Sequence, residues 1–293
     1  MLSLPGEIVA VIQKTVGGRV RSVKPVSGGS INEAYRLELH SGEPFFLKMN
    51  RRAGPEMFAA EVRGLEILKA VETNLAIPSA LAFGHEKASG CSFLLTEWLE
   101  AGGPEMNFFE RFGRYLASLH RDTSDRFGLD HANFIGRLPQ SNRWQATWHE
   151  FFREQRILPQ LETAVASGLI PRSAYSPCGK VFKLVEDEFP VENPALLHGD
   201  LWSGNFMFLS SGRPAIFDPA VYFGHREMEI AFTHLFGGFS PKFYAGYESV
   251  FPLEEGFSDR RDIYNLYPLL VHVNLFGGSY AGSVMSILKR FGG

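Results

Sequence analysis

The residues best suited to chemistry lie in Leu196–Leu197–His198–Gly199–Asp200–Leu201–Trp202–Ser203–Gly204–Asn205 and in Ala215–Ile216–Phe217–Asp218. An apolar stretch delivers His-Gly-Asp, Asn205 follows Asp200 at D-x-x-x-x-N spacing, and a second apolar stretch delivers Asp218. Phosphoryl transfer from a nucleotide needs such a set. One Asp aligns the acceptor hydroxyl and takes its proton, the Asn holds a Mg²⁺ ion, and the other Asp bridges metal and phosphates. The protein-kinase form is H-R-D-x-x-x-x-N followed by D-F-G. Here it reads H-G-D-L-W-S-G-N followed by Asp218–Pro219–Ala220. Asp and Asn are common loop residues, and a lone H-G-D is more often a turn. The joint presence of Asn205 and Asp218 after short apolar runs selects the catalytic reading.

The elements upstream have to face this loop. Residues 4–16 place Leu4, Ile8, Val11, Ile12 and Val16 at helical spacing. Strand patterns at Val20–Ser27 and Ala34–His40 flank Gly28, Gly29 and Ser30, a turn in which glycine permits close approach to a phosphate. The loop is neither G-x-G-x-x-G nor a Walker A motif, so it is weak evidence alone. The strand Pro44–Asn50 carries Lys48 among Phe46, Leu47 and Met49, and the helical pattern from Pro55 to Val71 carries Glu61. A strand Lys paired to a helix Glu is how kinase folds hold nucleotide phosphates. Both types are usually surface residues. The order along the chain, glycine loop, Lys, Glu, then Asp…Asn…Asp, makes the set coherent. Strands at Ser79–Gly84 and Cys91–Thr96 lead to Glu97–Trp98–Leu99–Glu100 and then Ala101–Gly102–Gly103–Pro104, a boundary signal. Glu97, Trp98 and Leu99 are the candidate adenine-binding hinge.

Beyond that boundary the patterns turn helical, at 108–119, 144–161, 173–189, 226–236, 241–250 and 260–276, with a loop at 125–142. Tyr267, His272 and Asn274 are polar positions in the last of these, either satisfied core groups or pocket lining. Trp202 either anchors the loop or packs against the acceptor.

The chain has 293 residues, 45% hydrophobic and 21% charged, with a formal net charge of -3, which suits a globular protein of one to two domains. No basic block points to nucleic acid or an anionic membrane. The 26 Phe residues fit an aromatic-rich core, and the 2 Cys, Cys91 and Cys178, stand in no metal or disulfide pattern. The first residues show neither a basic segment nor an apolar one, and no run is long enough to span a bilayer. A reducing cytoplasm is the expected compartment.

Across nearly its whole length the chain resembles the fructosamine/ketosamine 3-kinases, in the aminoglycoside phosphotransferase-like branch of the protein-kinase fold. The resemblance is carried by Gly28–Gly29–Ser30–Ile31–Asn32, Phe46–Leu47–Lys48, Met57–Phe58, Glu61, Asn133–Phe134–Ile135–Gly136 through Pro139–Gln140, and Trp144. His198 to Asn205, Asp218–Pro219–Ala220–Val221–Tyr222, Gly224–His225–Arg226–Glu227, Leu235 to Phe239, and His272 with Asn274 to Gly278 and Tyr280 extend it. It implies an α+β, protein-kinase-like bilobal fold. A small antiparallel N-lobe with one main helix would cover 1–100, and a larger, mostly helical C-lobe 101–293. It implies ATP and Mg²⁺ as cofactors, Asp200 as catalytic base, Asn205 and Asp218 as metal ligands, Lys48 held by Glu61, and Glu97–Leu99 at adenine. It also implies glycated amines (ketosamines, free or on protein lysines) as acceptors, phosphorylated on the 3-hydroxyl.

Two departures stand out. Ser30 occupies a position where some members carry a redox-active Cys, and Glu229 stands where an Asp is frequent, in a helix that braces the catalytic loop. The alternatives are a kinase of the aminoglycoside or choline type, or a nucleotide-binding pseudokinase. Ser279–Gly293 carries Lys289 and Arg290 and no acid, unlike the acidic lining that a polycationic acceptor needs, and a pseudokinase would normally have lost Lys48, Asp200 or Asp218.

Overall fold

The computed structural model describes residues 4–27, 31–103 and 105–293. The chain forms two compact units. The first comprises the described residues of Met1–Phe108 together with Gly204–Pro219, and the second Phe109–Ser203 with Ala220–Gly293.

In the first unit, helix α1 (Gly6–Val16) ends at Gly17 in the left-handed conformation, φ 68°. Strands β1 (Val20–Pro25), β2 (Glu33–Leu39) and β3 (Pro44–Asn50), helix α2 (Pro55–Ala70), and strands β4 (Ala80–Glu86) and β5 (Cys91–Glu97) follow. The sheet is antiparallel in the order β1-β2-β3-β5-β4. Alternation divides it cleanly. Tyr35, Leu37 and Leu39, Phe45, Leu47 and Met49, and Phe93 and Leu95 pack with Ile8 and Ile12 of α1 in one core. The opposite face sets Leu94 against Phe58 and Val62 of α2. Pro55 opens α2, where its missing N–H costs nothing.

The remainder of this unit is a hairpin from far along the chain. Phe206–Phe208 pairs with Pro214–Ile216. Ala76 donates to the Pro214 carbonyl at 2.9 Å and accepts from Ile216 at 3.0 Å, and Gly102 donates to the Phe208 carbonyl at 2.7 Å. Ala76, Leu209 and Ala215 close a small core with Leu99 and Met207.

The second unit is mostly helical. Helix α3 (Phe108–Leu119) buries Phe112, Leu116 and Leu119. The stretch 125–142, expected as a loop, contains a short hairpin, Asn133–Ile135 with Leu138–Gln140, too brief for periodicity to register. The helix expected at 144–161 starts at Trp148, capped by Thr147, passes through a π-helical turn at Phe152–Ile157, and ends at Ala166. Tyr175–Glu188 follows, and Ala195–Leu197 pairs with Tyr222–Gly224. The single helix expected at 260–276 is two, Phe257–Tyr264 and Leu266–Phe276, joined at Asn265. The sequence patterns did not place the helix Ala281–Gly292, whose Val284 and Leu288 are buried. Among the described residues no helix is long and apolar enough to cross a membrane.

Candidate active site

In the first unit, Lys48 sits on β3 opposite Ala34 of β2 and Leu94 of β5, on the α2 face of the sheet. It is 5% exposed. Its Nζ donates to Glu61 Oε1 at 2.5 Å and to Asp218 Oδ1. Burial alone would push the ammonium down, but the Asp218 and Glu61 carboxylates more than offset it and hold it above its ordinary value. Burial pushes the Glu61 carboxyl up, against the pull of Lys48. The strand Lys and helix Glu of the sequence reading do meet, and Asp218 joins them.

Asp218 has φ 59°, the one non-glycine residue with positive φ among the described residues. Asp tolerates this conformation better than most side chains. Its carboxylate keeps 39% exposure. Register explains how Asn205 comes alongside. Ile216 pairs with Phe206, and one step on Phe217 N–H donates to the Asn205 carbonyl at 3.1 Å. One carboxylate and one carboxamide are hard oxygen donors that suit a divalent ion completing its shell with phosphate oxygens and water. Among the described residues no group of three or more His, Cys, Asp or Glu is placed to hold a metal, so such an ion would depend on the nucleotide for its remaining ligands.

The candidate hinge leaves β5 in the same unit. Glu97 N–H donates to the Ser79 carbonyl at 3.1 Å, and its side chain accepts from Ser79 N–H at 2.6 Å. Trp98 packs on Phe46 at 6.4 Å, lies under the Arg36 guanidinium at 5.2 Å, and donates to Glu100. Leu99 is anchored in the core around Ala215. Gly28, Gly29 and Ser30, the candidate phosphate loop, lie outside the described residues.

In the second unit the backbone turns sharply at Gly199, φ 83°, where a Cβ would stand 2.1 Å from the Ala220 carbonyl oxygen. Only glycine fits between His198 and Asp200. Behind this turn Glu229, 3% exposed, accepts from Gly199 N–H at 2.7 Å and from His198 N–H at 3.1 Å. His120, wholly buried, donates from Nε2 to the same carboxylate at 2.9 Å, with Nδ1 2.8 Å from the Tyr247 hydroxyl. Burial would raise the Glu229 carboxyl, yet His120, His198 and Gly199 together hold it below the usual carboxylate range. The longer carboxylate at this position therefore reaches the catalytic loop directly. His120 follows directly on α3, and nothing in its local sequence points to a partner 109 residues away.

Asp200 lines a pocket with Gly199, Tyr222, Met228, Phe232, Tyr267 and His272. Trp202 meets Phe236 edge-on at 6.5 Å, and Phe236 packs on His272 at 4.7 Å. His272 donates from Nδ1 to the Pro268 carbonyl at 2.7 Å, and burial lowers its basicity, so its Nε2 is left as an acceptor. Asn274 lies elsewhere: its amide donates to Gln160, to the carbonyl at 2.9 Å and to Oε1 at 2.7 Å.

The family model for fructosamine kinase matches residues 6–291. The probable ketoamine kinase slr1563 of Synechocystis is 41% identical over 97% of this chain and 95% of its own. The chloroplastic protein-ribulosamine 3-kinase of Arabidopsis thaliana is 38% identical over 93% and 83%. A solved structure from Thermobifida fusca, described as a putative fructosamine-3-kinase, superposes with a TM-score of 0.86 at 32% identity, covering 98% of each chain. Antibiotic kinases and phosphotransferases at 13–15% identity share the fold alone. The chain belongs to the fructosamine kinase family and is an ATP-dependent kinase of the protein-kinase-like fold.

Proposed function

We propose that this kinase phosphorylates the 3-hydroxyl of ketosamines, using Mg·ATP. The first unit would handle the nucleotide: Lys48, braced by Glu61, would take phosphate charge, Asn205 and Asp218 would hold Mg²⁺, and the backbone of Glu97–Leu99 would meet adenine. Bound there, the ion would neutralise phosphate charge as the transfer proceeds. The second unit handles the acceptor: Asp200 aligns the hydroxyl and receives its proton, and Trp202 packs against the sugar. Positioning and electrostatics account for most of the catalysis.

The observation that carries this reading is the lining of the pocket at Asp200. It contains two carboxylates, and Glu229 is already committed to the backbone N–H groups of His198 and Gly199. The other walls are apolar, aromatic or neutral and polar. Such a pocket suits a neutral polyol carried on one amine and not a polycationic aminoglycoside. The product explains deglycation. A phosphate on C3 sits on the carbon α to the C2 carbonyl, so loss of a C1 proton gives an enaminol that expels phosphate from C3, and water hydrolyses the resulting imine to release the amine. Two buried free thiols, Cys91 and Cys178, agree with a cytoplasmic location.

The test is ADP release with Mg·ATP against ribulosyl-lysine, fructosyl-lysine, choline and kanamycin, with Asp200→Asn as the blank. Turnover on a ketosamine alone supports the proposal and ranks the sugars. Turnover confined to choline or kanamycin overturns the substrate.

A further inference from the structure

The hairpin Asn133–Gln140 and the π-helical turn Phe152–Ile157 have no part in the chemistry above, yet they enclose a charge. Arg156, in that turn, is wholly buried. Its Nη1 donates to the Ser141 carbonyl at 2.7 Å and the Gln155 carbonyl at 2.9 Å, and its Nη2 to Asn142 Oδ1 at 2.7 Å. Its Nε has no partner among the described residues, and each of these bonds ends on a neutral oxygen. Aromatic faces take the place of a counter-ion, with the Tyr222 ring at 3.9 Å, Phe151 at 4.4 Å and Tyr267 at 5.4 Å. Burying a guanidinium without a carboxylate is costly, and π-helical turns concentrate at functional sites.

A guanidinium only donates, so it fixes the direction of every bond beyond it. Asn142 must present its oxygen to Arg156, which leaves its Nδ2 to donate to Asn133 Oδ1 at 3.0 Å. Asn133 then turns its Nδ2 to the Val221 carbonyl at 2.8 Å. Gln140 turns its Nε2 to Asn133 Oδ1 at 2.8 Å and the Ala220 carbonyl at 3.2 Å. Gln140 Oε1 is left to accept the hydroxyl proton of Tyr267, which lines the pocket at Asp200.

We propose that Arg156 is a positioning residue that sets the polarity of the acceptor pocket through Asn142, Asn133 and Gln140. The Tyr267 hydroxyl spends its proton inward, so the oxygen it offers to a substrate can only accept. Asp200 and His272 Nε2 have the same polarity. The pocket selects molecules that bring several hydroxyl donors, and the same chain clamps the Ala220 and Val221 backbone that follows Asp218–Pro219. This rests on the ketosamine reading above.

The test uses Asn142→Asp, Tyr267→Phe and the double variant in the full-length protein. Asp at 142 pairs with Arg156, which offsets the loss of the bond to the His131 carbonyl, but it has no proton to donate to Asn133. Expected is a fall of about tenfold in kcat/KM for the ketosamine, the worth of one hydrogen bond, with KM for ATP unchanged. The Tyr267→Phe loss should be similar, and the double variant no worse than the poorer single one. Losses that multiply would overturn the proposal. Backbone amide exchange at Ala220–Phe223, read without any acceptor, should rise in Asn142→Asp while the urea midpoint holds; unchanged exchange would also overturn it. If the wild type turned over no ketosamine, the substrate reading would fall and the exchange measurement would still decide the role of Arg156.

Discussion

Replacing Glu229 by Gln removes a charge and little volume, which makes it an informative perturbation of the catalytic loop. The carboxylate accepts from Gly199 N–H on Oε1 and from His198 N–H and His120 Nε2 on Oε2. An amide has one oxygen. Turned one way its NH2 group confronts Gly199, and turned the other way it confronts His198 and His120. At least one buried donor is stranded, and the surviving bonds lose their charge assistance. A stranded donor costs about 1–3 kcal/mol and each charge-assisted bond is worth about 1.5–3 kcal/mol, so a net loss of about 3 kcal/mol is expected. A protein with about 5–15 kcal/mol of stability survives that, and the loop bearing Asp200 shifts. A displacement near 1 Å costs about 100-fold in rate. Urea unfolding and steady-state kinetics on the same preparation supply both figures, and KM for ATP should stay within about twofold if only the loop has moved. A variant that lost under about 1 kcal/mol and kept kcat within about threefold would show that Glu229 does not hold this loop.

Asp200→Asn should lower kcat by about 100-fold or more with ATP affinity unchanged in calorimetry, the outcome expected of the proton acceptor proposed above. Lys48→Met leaves the Glu61 carboxylate without its cation, so KM for ATP should rise and kcat fall, both read from ATP titrations. If Trp202→Phe left the acceptor KM unchanged, packing against the sugar would be excluded. Stability should also depend on pH. Burial pushes His225 down to about 4 from 6.5, so between these values the unfolded chain binds a proton that the native one refuses. Its contribution is complete above pH 6.5 and is lost as pH falls toward 4, up to about 3 kcal/mol. Urea midpoints at pH 7 and pH 5 measure it, and His225→Asn should reduce the difference but leave the share of His234, which burial also lowers to about 4.

The candidate residues for chemistry stood out in the sequence because each lies on or after an element with a strong period. Lys48 interrupts an apolar strand, Glu61 falls in an amphipathic helix, and short apolar runs deliver Asp200 and Asp218. Glu229 and Tyr267 were singled out too, but not their partners, because these pairings exist only between separate segments: His120 with Glu229, Tyr267 with Gln140, Arg156 with Asn142. The break at Asn265 was hidden because no Gly or Pro adjoins it and buried residues stand on both sides, Ile263 and Tyr264 before it and Leu266 and Tyr267 after it. The stretch Ala281–Gly292 was assigned no element, and its Gly292 is required there, because a Cβ would stand 2.2 Å from the Pro177 carbonyl oxygen. Asn274 shows that a polar residue in an apolar helix does not itself mark a pocket.

The hairpin Phe206–Ile216 has a consequence for how this protein is made. It supplies Leu209 and Ala215 to a core whose other members, Ala76 and Leu99, leave the ribosome more than a hundred residues earlier. Until that hairpin emerges, the first unit waits with an unclosed apolar surface and with the Ala76 backbone unpaired. A chain halted at Phe108 would carry its five-stranded sheet and still be unfinished. Contacts that close so large a loop form late and slow the search for the native state. The same arrangement keeps Lys48 without Asp218 until 170 further residues have been synthesised, so the first unit cannot close before that point.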